Sequence, residues 1–206
     1  MKSFRVLGLA VLAIVPTPAS AQLLDFALLD VSSEKQTLVL VRALHMDKPG
    51  EPDPLLTAVA TRWDSGSSAT AAYTHRWAIR RSGHEWLLGA GGGVSAFRSR
   101  TSNEEDANAL SLRAQTEFLG PLAAGRYYVL LQYSSFRQQS YALAQYDFSD
   151  SAIGLELASL HESTHNQVDV ALRYALDARK RWRARVGLER TNGETQGFIG
   201  LAYNGF

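Results

Sequence analysis

A short polar segment, LHESTHNQ, holds the side chains best suited to covalent chemistry. His161 and Ser163 stand two positions apart near the end of a predicted strand. Alternate residues of a strand share a face, and a serine beside a histidine base is the arrangement that nucleophilic catalysis requires. The same residues also fit a polar rim where a strand gives way to a loop. We favour the polar rim and keep His161 and Ser163 as an alternative catalytic pair.

Other familiar site patterns are not completed by this sequence. The histidines His75, His84, His161 and His165 lack the paired spacing of a metal site, so no metal is predicted. The glycine run Gly89 to Gly93 is not followed by the Lys-Ser/Thr pair and helix of a phosphate loop. We expect these glycines to provide room inside a barrel or a sharp bend. No cofactor is predicted.

The first residues determine where the chain is expected to go. Lys2 and Arg5 precede an apolar run of about ten residues, which is too short to span a bilayer. Two prolines and the small triplet Ala19-Ser20-Ala21 follow this run. This pattern predicts a signal peptide over residues 1–21 with cleavage after Ala21, and one domain over residues 22–206. Losing the two basic residues changes the formal charge from +1 to −1, which argues against a nucleic-acid partner. The chain has no cysteine, so its stability cannot come from disulfides.

Beyond residue 22, apolar and polar residues alternate with a period of two, and Gly, Ser, Asn and Asp clusters interrupt the pattern. The Asn-Gly pair in TNGE is typical of a tight hairpin. The pattern predicts twelve strands, with ten or eight as alternatives. The predicted strands cover residues 23–31, 36–46, 56–63, 69–80, 84–98, 108–119, 126–137, 140–149, 151–162, 166–177, 181–190 and 195–206.

Two architectures produce this alternation. A soluble barrel or sandwich turns its apolar face inward, whereas a transmembrane barrel turns it toward lipid and lines its lumen with the polar face. The polar face here mixes charges of both signs with Gly, Ala, Ser and Gln, which suits a crowded, wet interior. Strands of about ten residues also match a tilted bilayer crossing. Aromatic residues fall mainly near strand ends, as in a membrane girdle: Trp63, Trp77, Trp86, Tyr127, Tyr128, Tyr141, Tyr146, Phe148, Trp182 and Tyr203.

These features together favour an all-β, single antiparallel up-and-down transmembrane β-barrel. The inward charges are expected to form cross-strand ion pairs that fill the lumen, because an unpaired charge in low dielectric is costly. The predicted lumen charges are Arg76, Arg113, Glu117, Glu156, Asp169, Arg173, Arg183, Arg185 and Glu189.

The leader, the serial hairpins, the absence of cysteine and the terminal Phe206 resemble a small bacterial outer-membrane β-barrel. This resemblance implies an outer-membrane location, contact with outer-membrane lipid, and recognition of Phe206 by the barrel-assembly machinery. Phe206 is out of step with the apolar stripe Ile199, Leu201 and Tyr203, which predicts a bulge near Gly205.

Three functions remain open at this stage. The favoured one is a non-enzymatic envelope accessory that supports exopolysaccharide export, such as that of cellulose, or forms a narrow channel. Small barrel subunits that accompany polysaccharide synthesis are the analogy, and export components would then be partners. The second is a lipid A acyl hydrolase, since the His161-x-Ser163 segment is similar to that of outer-membrane lipid A deacylases. Thr164 replaces the asparagine expected after the serine, and Asp177 is a candidate for the orienting acid. The third is a soluble periplasmic β-barrel binding protein.

Overall fold

Each strand of the protein pairs with the strands before and after it in sequence. The computed structural model describes residues 24–45, 51–100, 106–163 and 165–205, so the predicted leader, Thr164 and Phe206 lie outside the described residues. The strands are β1 (Phe26–Ser32), β2 (Lys35–Ala43), β3 (Leu55–Trp63), β4 (Gly66–Arg81), β5 (His84–Ser99), β6 (Ala107–Leu122), β7 (Gly125–Ser134), β8 (Gln139–Phe148), β9 (Ile153–His161), β10 (Asn166–Ala175), β11 (Trp182–Thr191) and β12 (Glu194–Asn204).

The sheet closes on itself because β12 pairs antiparallel with β1. The result is a twelve-stranded antiparallel barrel, which confirms the predicted fold class and its preferred strand number. Closure leaves no open sheet edge along the paired length of the strands. An open sheet would have to protect such an edge from pairing with other chains. Within the described residues, no helix is long and apolar enough to span a membrane.

The turn between β11 and β12 is the tight hairpin that the sequence predicted. Asn192 and Gly193 form the two-residue turn between β11 and β12, with φ of 47° and 96°. Only Gly and a few residues such as Asn adopt this backbone readily, so the Asn-Gly pair favours this register. Both described ends of the chain then lie at the same end of the barrel, since the strand count is even.

The apolar face of the strands points outward. On β10, Val168, Val170 and Leu172 are 48 to 58% exposed, whereas the alternate residues Ala171 and Arg173 are buried. A soluble barrel would bury the apolar set. The exterior is therefore an apolar belt of the kind that faces lipid.

Aromatic residues form a girdle at one end of this belt, the end that carries the described chain ends. Trp86 stacks on Phe118 with ring centroids 5.5 Å apart, and Trp182 packs on Tyr203 at 5.0 Å. Three of the aromatic residues predicted for the girdle face the lumen instead. They are Trp63, Tyr128 and Tyr141. Their positions near strand ends did not reveal their parity within the strand, which decides the face.

The lumen-facing glycines of β5 allow close approach to β4. A Cβ on Gly91 would lie 1.9 Å from the carbonyl oxygen of Tyr73, and one on Gly93 would lie 2.3 Å from that of Ala71. No side chain fits at these distances, so the glycine run serves a tight bend of the sheet, as predicted.

The predicted bulge near Gly205 is not present in the described residues. The β1–β12 register runs without interruption to Phe26 opposite Asn204, and the backbone N–H of Gly205 donates to the carbonyl of Asp25 at 2.8 Å. This bond continues the same register by one residue. The prediction was therefore wrong as far as Gly205, because pairing with β1 outweighs the uneven distribution of apolar residues on β12.

Candidate functional site in the barrel lumen

The lumen is a continuous cavity of about 1600 Å³. Its lining residues come from both ends of the barrel: Glu34 and Glu194 near one mouth, Phe26 and Asn204 near the other. The cavity therefore extends along the barrel axis and is not a blind pocket. We call the end with the described chain ends the lower mouth and the opposite end the upper mouth.

One wall of the lumen carries a compact ion cluster. Three arginines, Arg173, Arg183 and Arg185, face three carboxylates, Asp30, Asp147 and Glu156. Arg183 Nη2 lies 2.9 Å from Asp147 Oδ2, and Arg173 Nη1 and Nε lie 3.5 Å and 3.7 Å from Asp147 and Glu156. Arg185 bonds both Asp30 and Glu156. Charges balance within the cluster, and the side chains of the arginines and Glu156 are at most 7% exposed.

The ion pairs follow the wall because small residues stand on the strands between the partners. Arg185 on β11 reaches Asp30 on β1 across Gly200 of β12. A Cβ on Gly200 would lie 1.9 Å from Asp30 Oδ1, so no other residue leaves room for this contact. On β10, the small residue Ala171 is opposite Glu156 of β9 and Gly187 of β11, next to the position where Arg173 is opposite Arg185. The cluster thus lines the lumen without crossing it.

Two smaller groups pair the other predicted charges. Arg76 lies 3.7 Å from Glu117, which also accepts hydrogen bonds of 2.9 Å from Gln115 and from the Tyr128 hydroxyl. Toward the upper mouth, Lys35 contacts both Glu189 and Gln167.

Asp169 accepts two hydrogen bonds from the side-chain amide of Gln167, at 2.8 Å and 2.7 Å. The amide thereby links this carboxylate to the Lys35–Glu189 pair. Every predicted lumen charge except one therefore has a polar partner among the described residues.

The exception is Arg113, midway along β6. The part of the chain that the structure describes places no hydrogen-bond or ion-pair partner on its guanidinium, which lines the cavity. Its neighbours across the sheet are Gly91 and Ser134, neither of which carries a charge. Arg113 is thus a half-buried cation that faces the lumen water.

The wall formed by β2, β3 and the upper part of β4 is uncharged for most of its length. It presents valine and threonine side chains to the cavity: Val39, Val41, Thr57, Val59, Thr61 and Thr70. The lumen therefore has one face of paired charges and another of small aliphatic and hydroxyl groups.

The turn between β7 and β8 narrows the upper mouth. It contains a short 3-10 segment, Phe136–Gln138, in which Arg137 and Gln138 have positive φ. The guanidinium of Arg137 lies 4.2 Å from the ring centroid of Phe97 and 3.5 Å from Glu162. These contacts hold the turn in place at the upper mouth of the lumen.

The alternative catalytic pair lies outside the lumen. His161 is exposed at the end of β9, on the lipid-facing parity, and its Nδ1 contacts the side-chain oxygen of Asn166 on β10. Ser163 is also exposed, and among the described contacts it has no hydrogen bond to His161. Asp177 bonds the backbone of Trp182 at the lower end of the barrel, so it does not orient His161.

Among the described residues, no three His, Asp or Glu side chains gather in a set that could hold a metal ion. Sequence reasoning missed three charged partners, Asp30, Lys35 and Asp147. It also missed the uncharged partners Gln115, Tyr128, Gln145, Asn166 and Gln167. The alternation of faces along a strand could have found two of the charged partners. Asp30 lies on the same face of β1 as Leu28, and Asp147 lies on the same face of β8 as Gln145.

Comparison with known proteins identifies the fold. No protein-family model matches the chain, and no curated protein matches it significantly. Among solved structures, the chain is similar to the KdgM porin, with a TM-score of 0.52, 12% identity and coverage of 87% of this chain and 97% of the porin. It is also similar to outer membrane phospholipase A from Escherichia coli, with a TM-score of 0.50, 12% identity and coverage of 88% of this chain and 90% of the phospholipase. The chain therefore has the fold of a small outer-membrane β-barrel.

Proposed function

We propose that this protein is an outer-membrane β-barrel that forms a narrow, water-filled channel for small polar solutes. The observation that carries the proposal is the combination of an apolar exterior with an internal cavity that holds the paired charges and is lined by residues of both mouths. A soluble periplasmic binder would present the opposite arrangement. Lipid is then the barrel's immediate partner.

Oligosaccharides are the proposed solute class. Most lumen charges are neutralised by a neighbour, while amide, hydroxyl and aliphatic groups line the remaining surface. Such a wall offers many weak contacts to a polyhydroxyl chain, and conduction requires contacts weak enough for release. A KdgM porin of the same fold has been solved in complex with disordered oligogalacturonate. Support of exopolysaccharide export is a more specific form of the proposal.

Conductance of the purified barrel in planar bilayers tests the channel. A bulky residue on the uncharged wall, Val39→Trp, should lower single-channel conductance severalfold. The matched control Val186→Trp places the same bulk on the exterior, where Val186 is 57% exposed, and should leave conductance unchanged. Absence of conductance in the native protein would refute the channel. Release of a freely soluble protein lacking heat-modifiable gel mobility would refute the membrane barrel as well.

Export and assembly belong to the same proposal. Removal of residues 1–21 should leave Gln22 as the first residue, which N-terminal sequencing of the membrane-bound protein checks. Deletion of Phe206 should lower the amount of heat-modifiable barrel in the membrane if the assembly machinery reads this residue.

A second candidate function, a lipid acyl hydrolase, is favoured by the contact between His161 and Asn166. An amide that holds one imidazole nitrogen leaves the other free to take the Ser163 hydroxyl proton as the oxygen attacks an ester carbonyl. The serine would become acylated as the lipid alkoxide leaves with that proton, and water would then release the fatty acid. His161 faces outward at the upper end of the barrel and Ser163 is exposed two residues further on, where lipid would be the substrate.

Mass spectrometry of lipid A from cells with and without the protein separates the two candidates. The hydrolase predicts an acyl-chain loss that Ser163→Ala abolishes and Ser159→Ala, an outward-facing serine of β9, leaves intact. The channel predicts unchanged lipids in every case.

A further inference from the structure

The exterior of the barrel bears an apolar groove of about 640 Å³ near its upper end. Alanines form its floor, and larger side chains such as Leu40, Val94 and Leu110 flank it. The floor residues are Ala58, Ala60, Ala69, Ala71 and Ala96. Since alanine reaches less far from the sheet than leucine or valine, the recess follows directly from the sequence on strands β2 to β6.

Strand register places two arginines immediately above this floor. Arg62 on β3 is opposite Ser67 on β4, and Ser67 is opposite Arg98 on β5. The next outward-facing residues below Arg62 and Arg98 are the floor residues Ala60 and Ala96. Neighbouring strands lie about 5 Å apart, so the two arginines are separated by roughly 10 Å across Ser67, which suits joint contact with one phosphate.

The two cations are available to a ligand. Arg62 is exposed and has no ion-pair partner among the described residues. Arg98 lies 3.6 Å from Asp106 and donates to the Phe97 carbonyl, but both members of its ion pair are at least 50% exposed. Such a solvent-exposed pair contributes little and can rearrange around a stronger anion.

The remaining groove has the dimensions of an acyl chain. Below the arginine row, the floor continues for about four residues along each strand, or roughly 13 Å at the usual rise. The aromatic girdle and the described chain ends lie at the opposite end of the barrel. The even strand count places both described chain ends at the lower mouth, and in the proposed outer-membrane barrel this mouth faces the periplasm. The groove then lies in the outer leaflet of the membrane.

We propose that this groove binds a phosphorylated glycolipid of the outer leaflet, of the lipid A type. One acyl chain occupies the alanine floor, and a glucosamine phosphate sits between Arg62 and Arg98. The inference rests on the membrane orientation of the proposed function but not on the solute that the channel carries.

Binding of lipid A to the purified barrel in detergent, measured by native mass spectrometry, tests the site. The double variant Arg62→Gln/Arg98→Gln should bind at least about tenfold more weakly, since each charge-assisted contact contributes substantially. Filling the floor with Ala69→Leu/Ala71→Leu should also weaken binding while leaving both charges in place. Dephosphorylated lipid A should bind the native barrel about as weakly as lipid A binds the arginine variant.

The matched control is Arg190→Gln, which removes an exposed outward-facing arginine of β11 at the same end of the barrel. It should bind lipid A like the native protein. Equal weakening by Arg190→Gln would overturn the proposal by showing non-specific attraction. Full competition by millimolar inorganic phosphate would overturn it by removing any role for the groove. A native dimer that the leucine variant dissociates, without lipid A binding, would show that the groove is a subunit interface and would also overturn it.

All variants are first checked for heat-modifiable gel mobility, so a loss of binding is not confused with failure to fold. Intact channel conductance together with no lipid A binding would refute this inference alone. A protein that does not enter membranes would refute the proposed function as well.

Discussion

Glu156 is the carboxylate on which the wall cluster depends most. Its side chain is 5% exposed, contacts Arg185, lies 3.7 Å from Arg173 and accepts a 2.7 Å hydrogen bond from Gln145. Glu156→Gln keeps the volume and removes the charge, so that three arginines face two carboxylates. Removing one partner of a buried ion pair costs about 3–5 kcal/mol because the other charge is left uncompensated. We expect a loss of about 3 kcal/mol in the free energy of unfolding, since Asp30 and Asp147 remain.

Equilibrium urea unfolding of the barrel in lipid vesicles, followed by tryptophan fluorescence, measures this loss. The matched control is Glu85→Gln, whose partner Arg80 is 53% exposed at the lower mouth. An exposed pair contributes at most about 1 kcal/mol, so this control should change stability little. If Glu156→Gln also costs less than about 1 kcal/mol, lumen water screens the cluster and the reasoning from burial is refuted.

A double-mutant cycle then separates the pair from its surroundings. Arg173→Gln alone leaves the cluster with excess negative charge, whereas Arg173→Gln combined with Glu156→Gln restores its balance. The double variant should therefore be more stable than the sum of the single losses predicts, by about 1–3 kcal/mol. Strict additivity would mean that the two side chains do not interact.

Three further predictions follow from single positions. Arg113→Gln should reduce the preference for anions over cations by about fourfold. One charge some 10 Å from the pore axis lowers the energy of an anion and raises that of a cation by roughly 0.4 kcal/mol each in water. Reversal potentials in a salt gradient measure this preference. Gly91→Ala should sharply lower the refolding yield, since its Cβ would lie 1.9 Å from a carbonyl oxygen of β4. Gly197→Ala, whose nearest such contact is 3.9 Å, should refold normally. Ile199→Lys should destabilise the barrel in vesicles by about 2–4 kcal/mol, because Ile199 is 67% exposed on the lipid-facing side, whereas a water-facing lysine would cost almost nothing.

The sequence predicted the barrel because alternation and turn chemistry are local properties. A one-residue slip would move every apolar side chain of a strand to the other face, so the pattern itself specifies the register of each strand. All twelve predicted strands overlap an observed one, and even the long β5 was expected over 84–98 where it spans His84–Ser99. Strand ends were less predictable, because β4 continues past its apolar pattern to pair fully with β5.

The partners of the lumen charges could not be predicted from the same information. Arg185 meets Asp30 across a whole strand, and this contact depends on the stagger of the closed sheet and on Gly200. Neither is visible in the pattern of any single strand. Arg113 was expected to pair like the other lumen charges, yet it faces Gly91 and Ser134, which offer no carboxylate.

The distribution of charge in the lumen favours the proposed channel for solutes over a tight binding site. Ion pairs that run along the wall produce only a weak electrostatic field in the cavity, because a neighbouring carboxylate already neutralises each guanidinium. A tight binding site would instead direct unpaired donors at one position. Only Arg113, among the lumen charges predicted from the sequence, has that character, and a single cation beside uncharged neighbours attracts an anion without holding it. Conduction depends on this balance between entry and release.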